Sequence, residues 1–288
     1  MTRILSIFFI ILWSSAFITS KIIVENASPF VSLSFRFAIV AIGFFFFSIF
    51  LNEKIIINLK SLIETFISGI LFHGLYLGGV FYSISLGVPA SIAALIVSLH
   101  PILTNIFAGP ILNEKVNRRQ WIGICLGFFG TILVLGYDIG ESIPLMGIFS
   151  SLVALLAATT ATLWQKKISG KLPLSVSNLY QAIGASIFLF FVMLIFEKPY
   201  IFFNSDFILS MSWQIFAVSF GAFTILMYLI KVKSASKTSN LFFLVPPVSA
   251  LMAFIFLKET MTIYDIIGLF ICSLGVFLAT RTYKSNSI

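Results

Sequence analysis

Apolar residues in this chain run on for about twenty positions at a stretch, broken by short clusters of charged residues, proline and glycine. A continuous run of that length spans a hydrocarbon core of about 30 Å as a helix. In lipid every backbone N–H and C=O must find an internal partner, which leaves helices or a closed barrel. Barrel strands alternate apolar and polar residues over about ten positions, and no such alternation organises these runs. The pattern predicts an all-α membrane protein of ten transmembrane helices. They fall at 4–24, 30–51, 61–86, 89–112, 119–137, 144–165, 174–196, 213–232, 237–257 and 262–281. Breaks as short as Gly87-Val88 make neighbouring helices antiparallel hairpins.

The chain also repeats itself. A shift of 145 residues brings Pro101 onto Pro246, Leu112 onto Leu257 and Glu114 onto Glu259. The same shift brings Gly123 onto Gly268, Gly130 onto Gly275, Lys21 onto Lys166, Arg36 onto Gln181 and Phe45-Phe46 onto Phe190-Phe191. Proline, glycine and charge are scarce within the spans, so their coincidence carries weight. The predicted domains are therefore two five-helix repeats, 4–137 and 144–281. An odd number of helices per repeat inverts the second half relative to the first, the arrangement of many secondary transporters, with the substrate cavity between the halves.

Composition narrows the class. Of 288 residues 59% are hydrophobic and 10% charged, with a mean hydropathy of +1.10. That is too little polar surface for a water-soluble fold of this size. The net charge of +8 would suit nucleic acid, but its distribution points elsewhere. With the N-terminus inside, fourteen of the 18 lysines and arginines fall on the cytoplasmic side, only Lys198 and Lys258 fall outside, and Lys21 and Arg36 lie within spans. The positive-inside rule then places both termini in the cytoplasm of a multi-pass cell-membrane protein. The N-terminal apolar run is longer than a signal-peptide core and is read as the first helix. Cys125 and Cys272 fall inside spans and read as small packing residues. With two histidines in all and no Cys-x-x-Cys, no metal site and no cofactor are expected.

Two stretches carry a resemblance to a known family. ASIAALIVSLHPILTNIFAGPILNEK followed by WIGICLGFFGTILV, and NLFFLVPPVSALMAFIFLKE followed by IIGLFICSLGVFL, look like two copies of the closing half of the EamA repeat. LWSSAFITSK and the entry from Pro29 to Arg36 resemble its opening. The chain thus resembles the EamA family of the drug/metabolite transporter superfamily over nearly its whole length. Ser14 departs from the glycine often found after the tryptophan. The resemblance implies ten helices around a central cavity, and export or exchange of small metabolites, often amino acids or related compounds.

Ionisable and helix-breaking residues inside lipid are costly, and so are functional candidates. His73 and His100 sit near the centres of the third and fourth predicted spans, where they are candidates for substrate contact or for protons as the coupling ion. The plainer reading is a neutral imidazole bonded between helices. Pro101, Pro246 and Pro247 fall at mid-span in corresponding helices and are candidate hinges, because proline removes a backbone donor and kinks the helix. Trp13, Ser14, Ser15, Tyr76, Thr160, Trp164, Tyr228 and Asn240 are candidate cavity residues at a similar level. Tyr and Trp near helix ends are also common interface anchors, which weighs against Trp164. Arg36 lies about two turns into the second helix and must find a partner, which makes it a structural residue or a gating or substrate-anion contact. Glu114 and Glu259 read as turn or cap residues. The spacings Gly74-x-x-x-Gly78, Gly123-x-x-x-Gly127 and Gly268-x-x-x-Cys272 predict close helix approach.

The leading expectation is a secondary transporter of a small polar metabolite, a monomer or weak dimer in the bilayer, with no nucleic-acid partner. The alternatives are an intramembrane enzyme and a non-transporting membrane sensor. The first lacks a central aspartate pair or a zinc motif in any predicted span, so no catalytic residue is assigned. The second lacks a soluble domain or long tail to carry a signal.

Overall fold

A computed structural model describes residues 2–88, 90–135, 144–257 and 262–280. They are nearly all helical: α1 (Thr2–Asn26), α2 (Pro29–Phe50), α3 (Leu59–Ser85), α4 (Ala93–Leu112), α5 (Arg118–Leu135), α6 (Leu145–Ile168), α7 (Leu174–Phe196) and α8 (Ser205–Val232). The run 235–257, here α9, is made of Ala235–Ser239, a 3-10 turn at Asn240–Leu244 and Val245–Leu257, and α10 is Ile263–Thr280. Among the described residues eight of these helices are long and apolar enough to cross a membrane. The two others are α5 and α9. Arg118, Arg119 and Gln120 open α5, and the 3-10 turn ahead of Pro246-Pro247 divides α9 into short pieces.

Local chemistry sets the boundaries. Asn58 and Asn204 cap α3 and α8 by accepting the Ser61 and Phe207 amides at 2.8 Å each. The Asn204 cap starts α8 at Ser205, eight residues before the hydropathy pattern alone suggested. Pro29 opens α2, where its missing N–H costs nothing. The α3–α4 turn needs Gly87, whose φ of 94° lies in the left-handed region. Both α3 and α8 contain a π-helical stretch, Ile70–Leu77 and Gln214–Phe223, at positions matched by the 145-residue shift.

The bundle wears its apolar residues outward. Phe46, Phe50, Phe149, Leu156, Ile195 and Phe270 are exposed, while Ser68, Gln165, Gln181, Thr104 and Asn105 are buried. That is the expected distribution when lipid is the solvent, and close approach and polar contacts hold helices together.

Two helix pairs are each tied by reciprocal contacts. Between α2 and α7, Ser34 Oγ donates to Ser186 O and Ser186 Oγ to Ser34 O, both at 3.0 Å. At one end of this pair Glu197 accepts the Phe30 and Val31 amides at 2.8 and 3.2 Å. At the other, Glu53 accepts the Ser175 hydroxyl. Between α5 and α10 the backbones meet through small residues. A Cβ on Gly123 would lie 2.5 Å from Gly275 O, and one on Gly130 would lie 2.9 Å from Gly268 O. Cys272 is buried there, its thiol 3.3 Å from Gly127 O. Cys125 is exposed, so the packing role expected of both cysteines belongs to Cys272.

Candidate functional site

The two π-helical stretches face each other across a cleft walled by α1, α2, α3 and α8. A π turn inserts an extra residue per turn and re-aims the side chains after it, which is why such turns recur at functional sites. Here they bring His73 and Tyr76 of α3 and Gln214 and Ser219 of α8 to the lining, opposite Trp13 and Ser20 of α1 and Arg36 of α2. The space in the cleft free to water-sized solutes is about 40 Å³. The rest of its wall is apolar, with Phe17, Phe81, Val218 and Phe223 among the lining residues. It lies in the half of the bundle that holds the α1–α2 and α7–α8 turns.

Arg36 is the one ionised side chain on the wall among the described residues. It is buried, its Nε donates to Ser219 Oγ at 2.9 Å, and its guanidinium carbon lies 5.2 Å from the centre of the Phe37 ring. Among the described residues no acidic side chain lines the cleft. Gln214 is anchored by its amide nitrogen, which donates to Ala16 O at 2.9 Å and Thr19 Oγ1 at 2.8 Å. Its buried Oε1 has no partner among the described residues. The His73 ring is held between Phe37 and Phe223, with centroids at 4.3 and 4.2 Å, and its Nδ1 is likewise unpartnered.

In the opposite half a buried polar cluster ties α3, α6 and α7 together, behind a smaller surface pocket lined by Glu64, Thr65, Gln165, Lys171 and Ser177. Ser68 Oγ reaches Gln165 Oε1 at 2.7 Å and Gln181 Oε1 at 3.1 Å, and Gln181 Nε2 donates to Ser177 Oγ at 3.0 Å. Toward that end Trp164 Nε1 donates to Glu64 O at 2.9 Å, and the Glu64 carboxylate pairs with Lys171 at 2.7 Å. Lys166 Nζ donates to the carbonyls of Ile230, Lys231 and Lys233 at the end of α8. Glu114, after α4, accepts the Ala235 and Ser236 amides at 2.8 and 3.0 Å and so caps α9. Glu259 lies outside the described residues.

Of the residues singled out by sequence, the cleft gathers Trp13, Arg36, His73 and Tyr76. Others sit between helices: Ser14 donates to Val245 O at 3.2 Å, Ser15 accepts Trp213 Nε1 at 2.8 Å, and Asn240 accepts Asn105 Nδ2 at 2.8 Å. His100 is buried with Nε2 3.0 Å from Thr162 Oγ1 and its ring edge-on to Phe242, outside the lining. Thr160 faces outward and bonds its own helix at Leu156 O, and Tyr228 is half-buried beyond the cleft. Pro101 opens the second part of α4, just past the helical break at Ser98-Leu99, and Pro246 and Pro247 follow the 3-10 turn of α9. The cleft residues that sequence reasoning passed over are Ser20, Gln214 and Ser219. Gln214 is an amide in an apolar run, but it lies at the edge of the predicted span 213–232, where sequence gives no sign of its depth.

The profile of the EamA-like transporter family matches residues 2–136 and again 145–281. The chain belongs to the EamA-like transporter family. Among relatives, the uncharacterized transporter YyaM of Bacillus subtilis is 29% identical over 96% of this chain and 92% of its own. An uncharacterized transporter of Archaeoglobus fulgidus is 26% identical over 93% and 95%. A probable amino-acid metabolite efflux pump of Escherichia coli is 25% identical over 57% of this chain and 53% of its own. A solved crystal structure superposes over 97% of both chains with a TM-score of 0.81 at 17% identity, which is a likeness of fold. As an EamA-like transporter this is a multi-pass membrane protein whose cargo is a small molecule.

Proposed function

We propose that this EamA-like protein is a secondary transporter that exports or exchanges small polar metabolites, amino acids or related compounds, by alternating access. Ten membrane helices form two inverted five-helix repeats, 4–137 and 144–281, with both termini cytoplasmic. The observation that carries this reading is the difference between the two halves of the bundle. One half holds the cleft around Arg36 and Gln214; in the other a smaller pocket lined by Thr65 and Gln165 stops at the buried Ser68–Gln165–Gln181 cluster.

The repeat-related lysines support it. Lys166 latches the end of α8 through the carbonyls of Ile230, Lys231 and Lys233. Its counterpart Lys21 is exposed and makes no hydrogen bond among the described residues. The 145-residue shift maps those three carbonyls onto Ser85, Leu86 and Val88 at the end of α3. In the opposite state Lys21 takes the latch and Lys166 releases it. The reciprocal α2–α7 and α5–α10 contacts favour these pairs as the fixed frame around a pseudo-two-fold axis, while α3, α4, α8 and α9 rearrange. The amino-acid class rests on the names of two relatives, at 25% and 23% identity.

The test is counterflow in proteoliposomes of labelled amino acids, amines, nucleosides and short organic acids, with and without a pH gradient. Saturable counterflow of one class is expected, and its response to the gradient tests protons as coupling ion. Only channel-like, non-saturating leakage from correctly inserted protein would overturn the carrier reading.

A further inference from the structure

We infer that Arg36 is the substrate's anion anchor: the cleft takes a small monocarboxylate with an apolar body, its carboxylate held by the two free terminal amines of the Arg36 guanidinium. The inference deepens the transport reading and rests on it for the term substrate.

A guanidinium buried in a membrane bundle needs a counter-charge or a full set of acceptors. Arg36 has neither. Its Nε is used by Ser219, and it makes no ion pair and no other hydrogen bond among the described residues. Its two terminal amines are not among the sealed-off polar atoms, and the residue lines the cleft. With the side edge of the fork taken by Ser219, the end-on edge remains, and two parallel N–H donors there match the two oxygens of a carboxylate.

One cation on a wall without acidic residues compensates one negative charge. A dianion such as a dicarboxylate or a phosphate monoester would leave its second charge desolvated among Phe17, Phe81 and Phe223, which is costly. Those aromatic and aliphatic walls suit an apolar body. Gln214 Oε1 and His73 Nδ1 belong to residues of the same lining but are sealed off and unpartnered, so they become acceptors for a donor next to the carboxylate only when those side chains turn toward the cleft. An α-ammonium is such a donor, so α-amino acids meet these requirements, and plain monocarboxylates meet the main one.

The test uses the full-length protein in detergent, with thermal stabilisation by millimolar solute as the readout. Matched probes separate the charges: L-leucine and isocaproate against L-leucinamide and isopentylamine, with L-phenylalanine and hydrocinnamate against L-phenylalaninamide and phenethylamine. Carboxylates are expected to stabilise the wild type, while amides and amines do so roughly ten- to hundred-fold more weakly. Arg36→Gln removes the preference, and Arg36→Lys retains part of it. Equal stabilisation by amides, none by any carboxylate, or a carboxylate effect that survives Arg36→Gln overturns the proposal, and the wild-type comparison decides even where the variant does not fold. Flux is measured separately in proteoliposomes. Carboxylate binding without counterflow would uphold the anchor and refute transport, and counterflow of amines and amides alone would do the reverse.

Discussion

Replacing Gly123 with alanine probes the α5–α10 interface with a single methyl group. The new Cβ would stand 2.5 Å from Gly275 O and 2.6 Å from Ala279 N, close to an ångström short of ordinary van der Waals contact. Both obstacles are backbone atoms of a helix, so no side chain can swing aside and the helices must separate. Overpacking of this kind costs about 1–3 kcal/mol. In a bilayer the separated helices are already helical, so the better helix propensity of alanine contributes to both states and largely cancels. Gly109→Ala is the control, because its Cβ would meet only Glu114 O, at 3.6 Å. Unfolding by SDS in mixed micelles, followed by tryptophan fluorescence, should place the Gly123 variant about 1–3 kcal/mol below wild type, with the Gly109 variant near wild type. A Gly123 variant of unchanged stability, or equal losses in both, would refute the close-packing argument.

Ser68→Ala should cost about 1–3 kcal/mol in the same assay, because it strips a donor from two buried amide oxygens, and an unchanged unfolding midpoint would refute a structural role for that cluster. Lys171→Met should change stability by less than about 1 kcal/mol, since the Glu64–Lys171 pair has side chains 43% and 15% exposed; a larger loss would mean that solvent screens it less than this exposure implies. Burial raises the Glu197 carboxyl above its ordinary 4.5, against the opposing pull of the Phe30 and Val31 amides. The folded state then holds this proton more tightly than the unfolded chain, so stability falls as pH rises from 4.5 through the raised value. Glu197→Gln should flatten the melting temperature across that window, and an equal slope in both proteins would exclude Glu197 as its source.

Sequence patterning was strongest where lipid imposes one rule on every residue. Most helix boundaries followed the apolar runs, and the repeat could be read from scarce prolines, glycines and charges. It was weaker where tertiary contact decides. Thr160 and His73 both look central on a hydropathy plot, yet one faces outward and the other lines the cleft. Rotation about the helix axis separates them, and an almost uniformly apolar helix carries little signal for that rotation. The π turns of α3 and α8 add a local change of phase that hydrophobic periodicity at 3.6 residues per turn does not register. Ser219 gains its importance only when Arg36 is seen bonded to it, and Gln214 only when it is seen on the same lining. Arg36 itself was conspicuous as a charge, but the sequence left open whether an acid or a second helix would neutralise it.

Alternating access is tested most directly by sided cysteine labelling in a background lacking Cys125 and Cys272. Ser20→Cys reports on the cleft around Arg36, and Thr65→Cys reports on the opposite half, where Thr65 is buried on the wall of the smaller pocket. A membrane-impermeant maleimide should label Ser20→Cys from one side of the membrane and leave Thr65→Cys unlabelled. Adding Lys166→Met, which removes the latch at the end of α8, should raise labelling of Thr65→Cys from the other side and lower that of Ser20→Cys in step. Simultaneous labelling of both positions from their respective sides, or labelling that does not respond to loss of the latch, would contradict the account.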